Sequence, residues 1–350
     1  MRFLAFLLLM LVMPVAHAAD TTDVSDLKTI TDSHGEVHGL GYLGNRGKHG
    51  VLYWAPTVRK GAAPAEYDLR ALGFVSKIKN QGSCGSCWAF SITKALESAL
   101  MRAGHPEQDL AEQELVSCDQ NAYGCNGGMM DDMDYVVKHG LPLESDYPYT
   151  ARTGRCQSGK PVAAQGVRWG YVGGEDREPT VAEIKQALQD YGVLSTTVAA
   201  GGGDWSDGGD MNGCRMRGVN HMVDIAGWKL VNGKEKLIGV NSWGADWGDA
   251  GFFYAKQGCD ELASGSQSVS FVVVDGGPAP QPPHVVLPAE VDIMPHTEVM
   301  LGVKPEAGVS YSWYADGAAL PDTDSMIYVT PAQDTVYKIV AKTAAGTAES

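Results

Sequence analysis

The chain has 350 residues, with 27 basic against 42 acidic side chains and a formal net charge of -15. At about 150 residues per domain, that length suggests two domains with extra segments. Such acidity excludes the basic face that nucleic-acid binding requires. A hydrophobic fraction of 44% excludes wholesale disorder, and 43 glycines favour loop- or β-rich architecture over a helix bundle. Seven cysteines leave one unpaired if the others bond.

Residues 1–18 begin with Met1-Arg2, continue through an apolar run from Leu4 to Val15 and end in Ala16-His17-Ala18. A short basic start, a short apolar core and an A-x-A site predict a secretory signal peptide. The apolar run is too short to span a membrane, which takes about 20 residues. No later segment is long enough either, so the mature protein is expected to be secreted, extracellular or periplasmic, where disulfides persist.

Residues 19–62 are polar and Gly-rich, with no helical period. His34 and His38 flank Glu36, but the zincin pattern places Glu directly after the first His, on a helix. Gly35 and Gly41 argue against a helix here, so neither a metal nor a cofactor is expected.

The chemistry is concentrated in the middle of the chain. Gln81-Gly82-Ser83-Cys84-Gly85-Ser86-Cys87-Trp88-Ala89-Phe90 leads into a helical pattern in which Phe90, Leu96, Ala99 and Leu100 share a face and Gly104 suits the end. Cys87 therefore falls at a helix N-terminus, where backbone N–H groups favour a thiolate, the nucleophilic form of cysteine. His221 lies in a strand-like run, and Asn241 opens Asn241-Ser242-Trp243-Gly244. An amide oxygen that accepts the Nδ1 proton would fix the imidazole's tautomer and orientation. An alternative takes Cys84-x-x-Cys87 as a redox pair or half a zinc site. There is no second C-x-x-C for zinc, and a redox pair leaves the Gln, His and Asn motifs unused.

Cys84-Gly85-Ser86-Cys87-Trp88, with His and Asn 134 and 154 residues beyond Cys87, resembles the signature of the papain-like cysteine proteases. The resemblance runs from about 64 to 274, some 60% of the chain. It includes Tyr67-Asp68-Leu69-Arg70, Cys125-Asn126-Gly127-Gly128, Glu144, Asp146-Tyr147-Pro148-Tyr149 and Asn241-Ser242-Trp243-Gly244-Ala245-Asp246-Trp247-Gly248. It implies an α+β fold of two lobes, helical around Cys87 and β-rich around His221 and Asn241, with the cleft between them. By the same resemblance Cys87 is the nucleophile, His221 the base and acid, and Asn241 the group that orients His221. Gln81 donates to the oxyanion, and Trp243, with Trp247, shields the His–Asn bond. Gly127 and Gly128 would bind substrate backbone. Met129, Met130, Thr197 and Met222 would line the pocket for the second residue upstream of the cut. Of the 15 pairings open to six cysteines, the resemblance selects Cys84–Cys125, Cys118–Cys156 and Cys214–Cys259. It also makes residues 19–62 a short pro-segment and 63–274 the catalytic domain; the family's pro-regions are longer and helical, and the Gly content of this one suggests an extended strand lying in the groove. The run from Cys125 to Tyr149 has no long insertion and no paired histidines, which implies endopeptidase action on protein or peptide substrates. Gly201 to Gly213, with Asp204, Asp207, Asp210 and Asn212, matches no EF-hand and reads as a mobile surface loop.

Asp275 to Pro283 is a Pro/Gly linker. In 284–350, Val299, Leu301 and Val303, then Val309, Tyr311 and Trp313, then Tyr337, Ile339 and Ala341 alternate with other residues. That period of two predicts strands with one buried face, and Asp316-Gly317 predicts a hairpin. Trp313 and Tyr337 resemble the core Trp and corner Tyr of immunoglobulin-like sandwiches. Such a module leaves room for a surface or protein ligand, and an adhesin or scaffold with the sandwich as its working part is the competing function. The leader and appended sandwich together are associated with a bacterial source.

Overall fold

A computed structural model describes residues 21–44, 52–54, 63–174, 176–275, 295–302, 310–324, 326–343 and 346–349. The signal peptide, the 61–62 end of the pro-segment, most of the linker, Val303 and Val309 lie outside these residues.

Helix α1, Cys87–Arg102, holds neither Gly nor Pro and is rich in Ala and Leu, so its local propensity is high. Every residue from Cys87 to Met101 is buried, wider than the single face the sequence predicts. Gly104, at φ +89°, ends it: Gly104 N–H donates to the Met101 carbonyl and His105 N–H to the Leu100 carbonyl, a left-handed glycine cap. Burial on all sides makes α1 the central post of the molecule. Its polar residues are answered internally: Lys79 Nζ reaches Glu97 Oε1 at 2.9 Å and Glu112 Oε1 at 2.7 Å. Burial opposes the charge on Lys79, but Glu112 and Glu97 outweigh it and raise its pKa. Glu112 belongs to α2, Glu112–Cys118, so this ion cluster ties α2 to α1.

Helix α3, Met133–Lys138, is short. Helix α4, Val181–Tyr191, starts with a reciprocal cap in which Glu183 N–H donates to Thr180 Oγ1 and Thr180 N–H to Glu183 Oε2. The largest sheet has nine strands among the described residues. Its spine runs Arg168–Val172, Val269–Val273, Leu194–Val198, His221–Val231, Lys234–Val240 and Phe252–Ala255, each pair antiparallel. The α+β expectation holds. Two buried clusters mark the lobes. One gathers the Trp88 end of α1 with Leu115, Met130 and Met133, and the other gathers Ile225, Trp228, Trp243, Trp247 and Phe253.

Three disulfides join Cys84–Cys125, Cys118–Cys156 and Cys214–Cys259, as the resemblance selects. Cys87 is free and buried. Cys84 is therefore engaged with Cys125, which removes the Cys84–Cys87 redox pair.

The C-terminal strands form a separate core of Tyr311, Trp313, Ile327, Ile339 and Ala341. Ser310–Ala315 pairs with Tyr337–Thr343 and, across the Asp316-Gly317 turn, with Ala318–Ala319. Alternation puts Trp313 and Ile339 inside, whereas Tyr337 is only half-buried.

Candidate active site

The first residue of α1, the first residue of one strand and the residue after its neighbour make the site. Cys87 opens α1. Ser86, in the N-cap position, does not cap: its hydroxyl meets Tyr149 Oη at 2.6 Å, leaving the first-turn N–H groups toward Cys87. His221 begins the strand His221–Val231, and Asn241 follows Lys234–Val240. Antiparallel pairing, with Asp224 opposite Val240, brings the two to the same sheet end.

His221 Nε2 lies 2.9 Å from Asn241 Oδ1, which also accepts from Ser242 N–H at 2.9 Å. This corrects the sequence expectation of an Nδ1 contact. Nδ1 is buried without a hydrogen bond, so Asn241 fixes the ring by Nε2 and leaves Nδ1 for another partner. Trp243 flanks the ring at 5.0 Å between centroids. The second aromatic against it is Trp205, edge-on at 6.2 Å, while Trp247 packs on Trp205 and Trp243 behind. Sequence reading missed Trp205, whose one signal was a tryptophan inside a Gly/Asp-rich run.

That run is not the expected mobile loop. Trp205 is 1% exposed, and its indole N–H donates to Asp260 Oδ2 at 3.0 Å. Asp204 Oδ2 accepts from the N–H groups of Asn212 and Gly213, Asp210 pairs with Lys236, and Cys214–Cys259 closes the stretch. Asp204 thus ties the loop to itself and Asp210 ties it to the sheet.

Gln81 is fully buried and held at both ends. Its Oε1 accepts from Ser242 Oγ at 2.6 Å, and its Nε2 donates to Cys84 O and Gly39 O, both at 2.8 Å. Tyr149 Oη donates to Gln81 O at 2.9 Å, which gives the Asp146-Tyr147-Pro148-Tyr149 motif a positioning role. Gly127 sits at φ +121°, and a Cβ on Gly128 would stand 2.3 Å from the Trp88 ring, so only glycine fits this edge. Met130 and Met222 share one buried cluster, and Thr197 faces Met222 in register. Met129 is half-buried outside that cluster, its N–H capped by Asp132 Oδ2 at 2.7 Å.

The cleft is filled by the chain's own residues 39–43. Gly39 N–H donates to Gly82 O at 3.0 Å, Gly128 N–H to Gly41 O at 2.9 Å, Tyr42 N–H to Asn220 O at 3.0 Å and Leu43 N–H to Gly128 O at 3.0 Å. Tyr42 and Gly128 pair parallel. The close passage needs glycine: a Cβ on Gly39 would lie 2.4 Å from the Cys84 carbonyl, and one on Gly41 1.9 Å from Gly85 O. Asn220 also helps, donating from Nδ2 to Val24 O at 2.7 Å. His38 stacks on Trp243 at 4.7 Å and meets Asp32 Oδ2 at 2.9 Å. Asp32, Glu36 and His38 bring possible ligand atoms within 4.8 Å of one another, without His34. Asp32 Oδ1 is already used by the N–H groups of His34 and Glu36, so the cluster closes a turn.

Burial under this segment sets the electrostatics. It pushes the Cys87 thiol up to about 11, against the opposing pull of the backbone groups of Met222, Gly41, Trp88 and Cys87. The helix terminus therefore does not win in the covered state. Burial also lowers His221 to about 4; the Asn241 bond pulls the other way, and the nearby His38 adds to the fall. Both partners are held neutral.

Residues 63–273 match the family profile of papain family cysteine proteases, and the chain belongs to that family. It is 36% identical over 198 residues to a viral cathepsin of Choristoneura fumiferana nuclear polyhedrosis virus, spanning 55% of this chain and 60% of that protein. It is 31% identical over 225 residues to a cathepsin L-like proteinase of Phaedon cochleariae, spanning 61% and 67%. Among solved structures it is similar to digestive procathepsin L2 from Tenebrio molitor larval midgut, at TM-score 0.56 and 33% identity over 61% of this chain and 70% of that one. It is similar also to the Carica candamarcensis protease CMS1MS2 in complex with E-64, at TM-score 0.53 and 28% identity over 60% and 99%. The chain thus spans only about 60–67% of these two curated relatives.

Proposed function

We propose that this chain is a secreted cysteine endopeptidase whose site is Cys87, His221, Asn241 and Gln81. The observation that carries the reading is the His221–Asn241 bond at Nε2, with Nδ1 left unbonded, in a fold whose free cysteine opens α1. With the cleft open, transfer of the Cys87 proton to His221 Nδ1 gives a thiolate backed by first-turn N–H groups. The thiolate attacks a peptide carbonyl, and the developing oxyanion accepts from Gln81 Nε2 and the Cys87 N–H. Collapse breaks the C–N bond as His221 protonates the departing amine, leaving a thioester. Water, deprotonated by His221, attacks the thioester and returns the thiol.

The covered state is read as a zymogen. Gly39 O takes the Gln81 donor meant for the oxyanion, and Gly41 and Leu43 take the Gly128 edge. Supporting secretion are the 1–18 leader and three disulfides; among the described residues, no helix is long and apolar enough to cross a membrane. The domain reading of 63–274 as catalytic, 275–283 as linker and 284–350 as an immunoglobulin-like sandwich is supported by the alternating core of Trp313 and Ile339. The test is cleavage of an end-blocked peptide under reducing conditions by the full chain freed of residues 19–62. Internal cuts, abolished in Cys87→Ala and surviving truncation at 274, are expected. Release of terminal dipeptides alone, or cleavage that survives Cys87→Ala, would overturn the proposal.

A further inference from the structure

The aromatic wall beside His221 has a support of its own. Trp205 stands edge-on to His221 at 6.2 Å and stacks on Trp247 at 6.0 Å. An indole carries one donor and no acceptor, so burying it calls for one accepting partner. Asp260 is that partner: its Oδ2 accepts from Trp205 Nε1–H at 3.0 Å, while its Oδ1 accepts from Met216 N–H at 2.8 Å. The residue is itself buried, and its carbonyl accepts from Ala199 N–H at 2.7 Å. It reaches these groups from a left-handed backbone, at φ +46° and ψ +40°, next to the Cys214–Cys259 disulfide. Glycine would hold that conformation with less strain but would offer no acceptor. Strain kept beside an active site points to a side chain retained for what it does there.

We infer that Asp260 is a positioning residue for His221 and acts through Trp205: by holding the indole N–H it fixes the ring that closes one side of the His221–Asn241 bond. The inference rests on the peptidase reading above. Without that acceptor the buried indole N–H is left unpaired, and the ring gains by turning toward another acceptor or toward water. The wall then opens, and water competes for Asn241 Oδ1 and His221 Nε2. A less firmly held imidazole spends less time in the orientation that proton transfer requires. Asp260 bonds to Trp205, Met216 and Ala199, not to the Gly127-Gly128 edge, so its loss acts on turnover and spares substrate binding.

The experiment uses the full chain freed of residues 19–62, an end-blocked peptide substrate, and the variants Asp260→Asn, Trp205→Phe and their combination. Asparagine tolerates the left-handed backbone and matches aspartate in volume, but its one oxygen cannot serve both N–H groups. Asp260→Asn should lower kcat about ten-fold and leave KM within about two-fold. In the Trp205→Phe background, which has no indole N–H to hold, Asp260→Asn should cost little more. Full additivity of the two losses would mean that Asp260 acts through Met216 alone, and the inference would fall. It would fall also if kcat were unchanged, or if KM rose in place of a drop in kcat. A second arm follows solvent exchange by NMR and starts from the wild type, so it needs no variant to fold. Trp205 Nε1–H and His221 Nε2–H should both be protected, and Asp260→Asn should speed the exchange of both. A freely exchanging Trp205 Nε1–H in the wild type overturns the clamp. If nothing is cut, the peptidase reading falls, and the exchange of His221 Nε2–H in Asp260→Asn decides whether Asp260 shields that bond.

Discussion

Gly41→Ala should release the segment from the cleft. Gly41 carries no left-handed φ, so alanine brings no backbone strain of its own; the cost is contact alone. Its Cβ would stand 1.9 Å from Gly85 O, 2.5 Å from Gly85 C and 2.9 Å from Gly85 Cα, all backbone atoms on the disulfide-tied turn before Cys87. Ordinary carbon contacts begin near 3.5 Å, so the segment must move by about 1.5 Å. A shift of that size breaks hydrogen bonds now at 2.9–3.0 Å: Gly128 N–H to Gly41 O, Tyr42 N–H to Asn220 O and Leu43 N–H to Gly128 O. Three bonds at about 1 kcal/mol each total ~3 kcal/mol, roughly a 100-fold loss of affinity. The assay is calorimetric titration of peptide 21–44 into the Cys87→Ala chain lacking 19–62, with exposed Asp26→Ala as control. In the intact chain, the same change should raise kcat/KM before any processing. An affinity within about three-fold of the parent peptide would refute the seating of residues 39–43 against Gly85.

Gln81→Ala should lower kcat by about 10²-fold or more while changing KM little, because Gln81 Nε2 serves developing charge; a rise in KM at constant kcat would contradict the oxyanion role. Acid should loosen the segment from the Cys87→Ala chain: with no thiol to give it a proton, His221 is neutral at high pH whether covered or not, but as the pH falls toward about 4 only the uncovered ring takes a proton. Release then gains at most ~1.4 kcal/mol per pH unit as the uncovered ring titrates. Peptide affinity should be flat above pH 7 and fall below 6.5, so an affinity independent of pH from 7 to 4.5 would exclude this linkage. Thiol labelling of the non-reduced protein, before and after removal of residues 19–62, should mark Cys87 alone and faster once uncovered; labelling of Cys84 would break the disulfide assignment. Trp205→Ala should lower kcat by opening one wall of the His221–Asn241 bond to water, together with a loss of ~3–5 kcal/mol in stability; unchanged activity in the folded variant would show that Trp205 only packs.

The local chemistry was legible from order and spacing. A cysteine entering a Gly- and Pro-free run of Ala and Leu must stand at a helix start, and a Gly-rich segment without helical period must lie extended. Alternation at Tyr311, Trp313, Ile339 and Ala341 likewise gave the tail its strands. The tertiary structure alone decided which imidazole nitrogen Asn241 holds, because that depends on how two strands align across a hairpin. It alone brought Trp205 from a Gly/Asp run onto His221, through Asp260 and the Cys214–Cys259 bond. It also reversed the expected balance at Cys87. A helix terminus can be read from neighbouring residues, but desolvation depends on everything that covers the thiol, including a segment more than forty residues upstream. Spacing along the chain reports bonded neighbours, whereas charge state and tautomer are set by whatever the fold packs around a group.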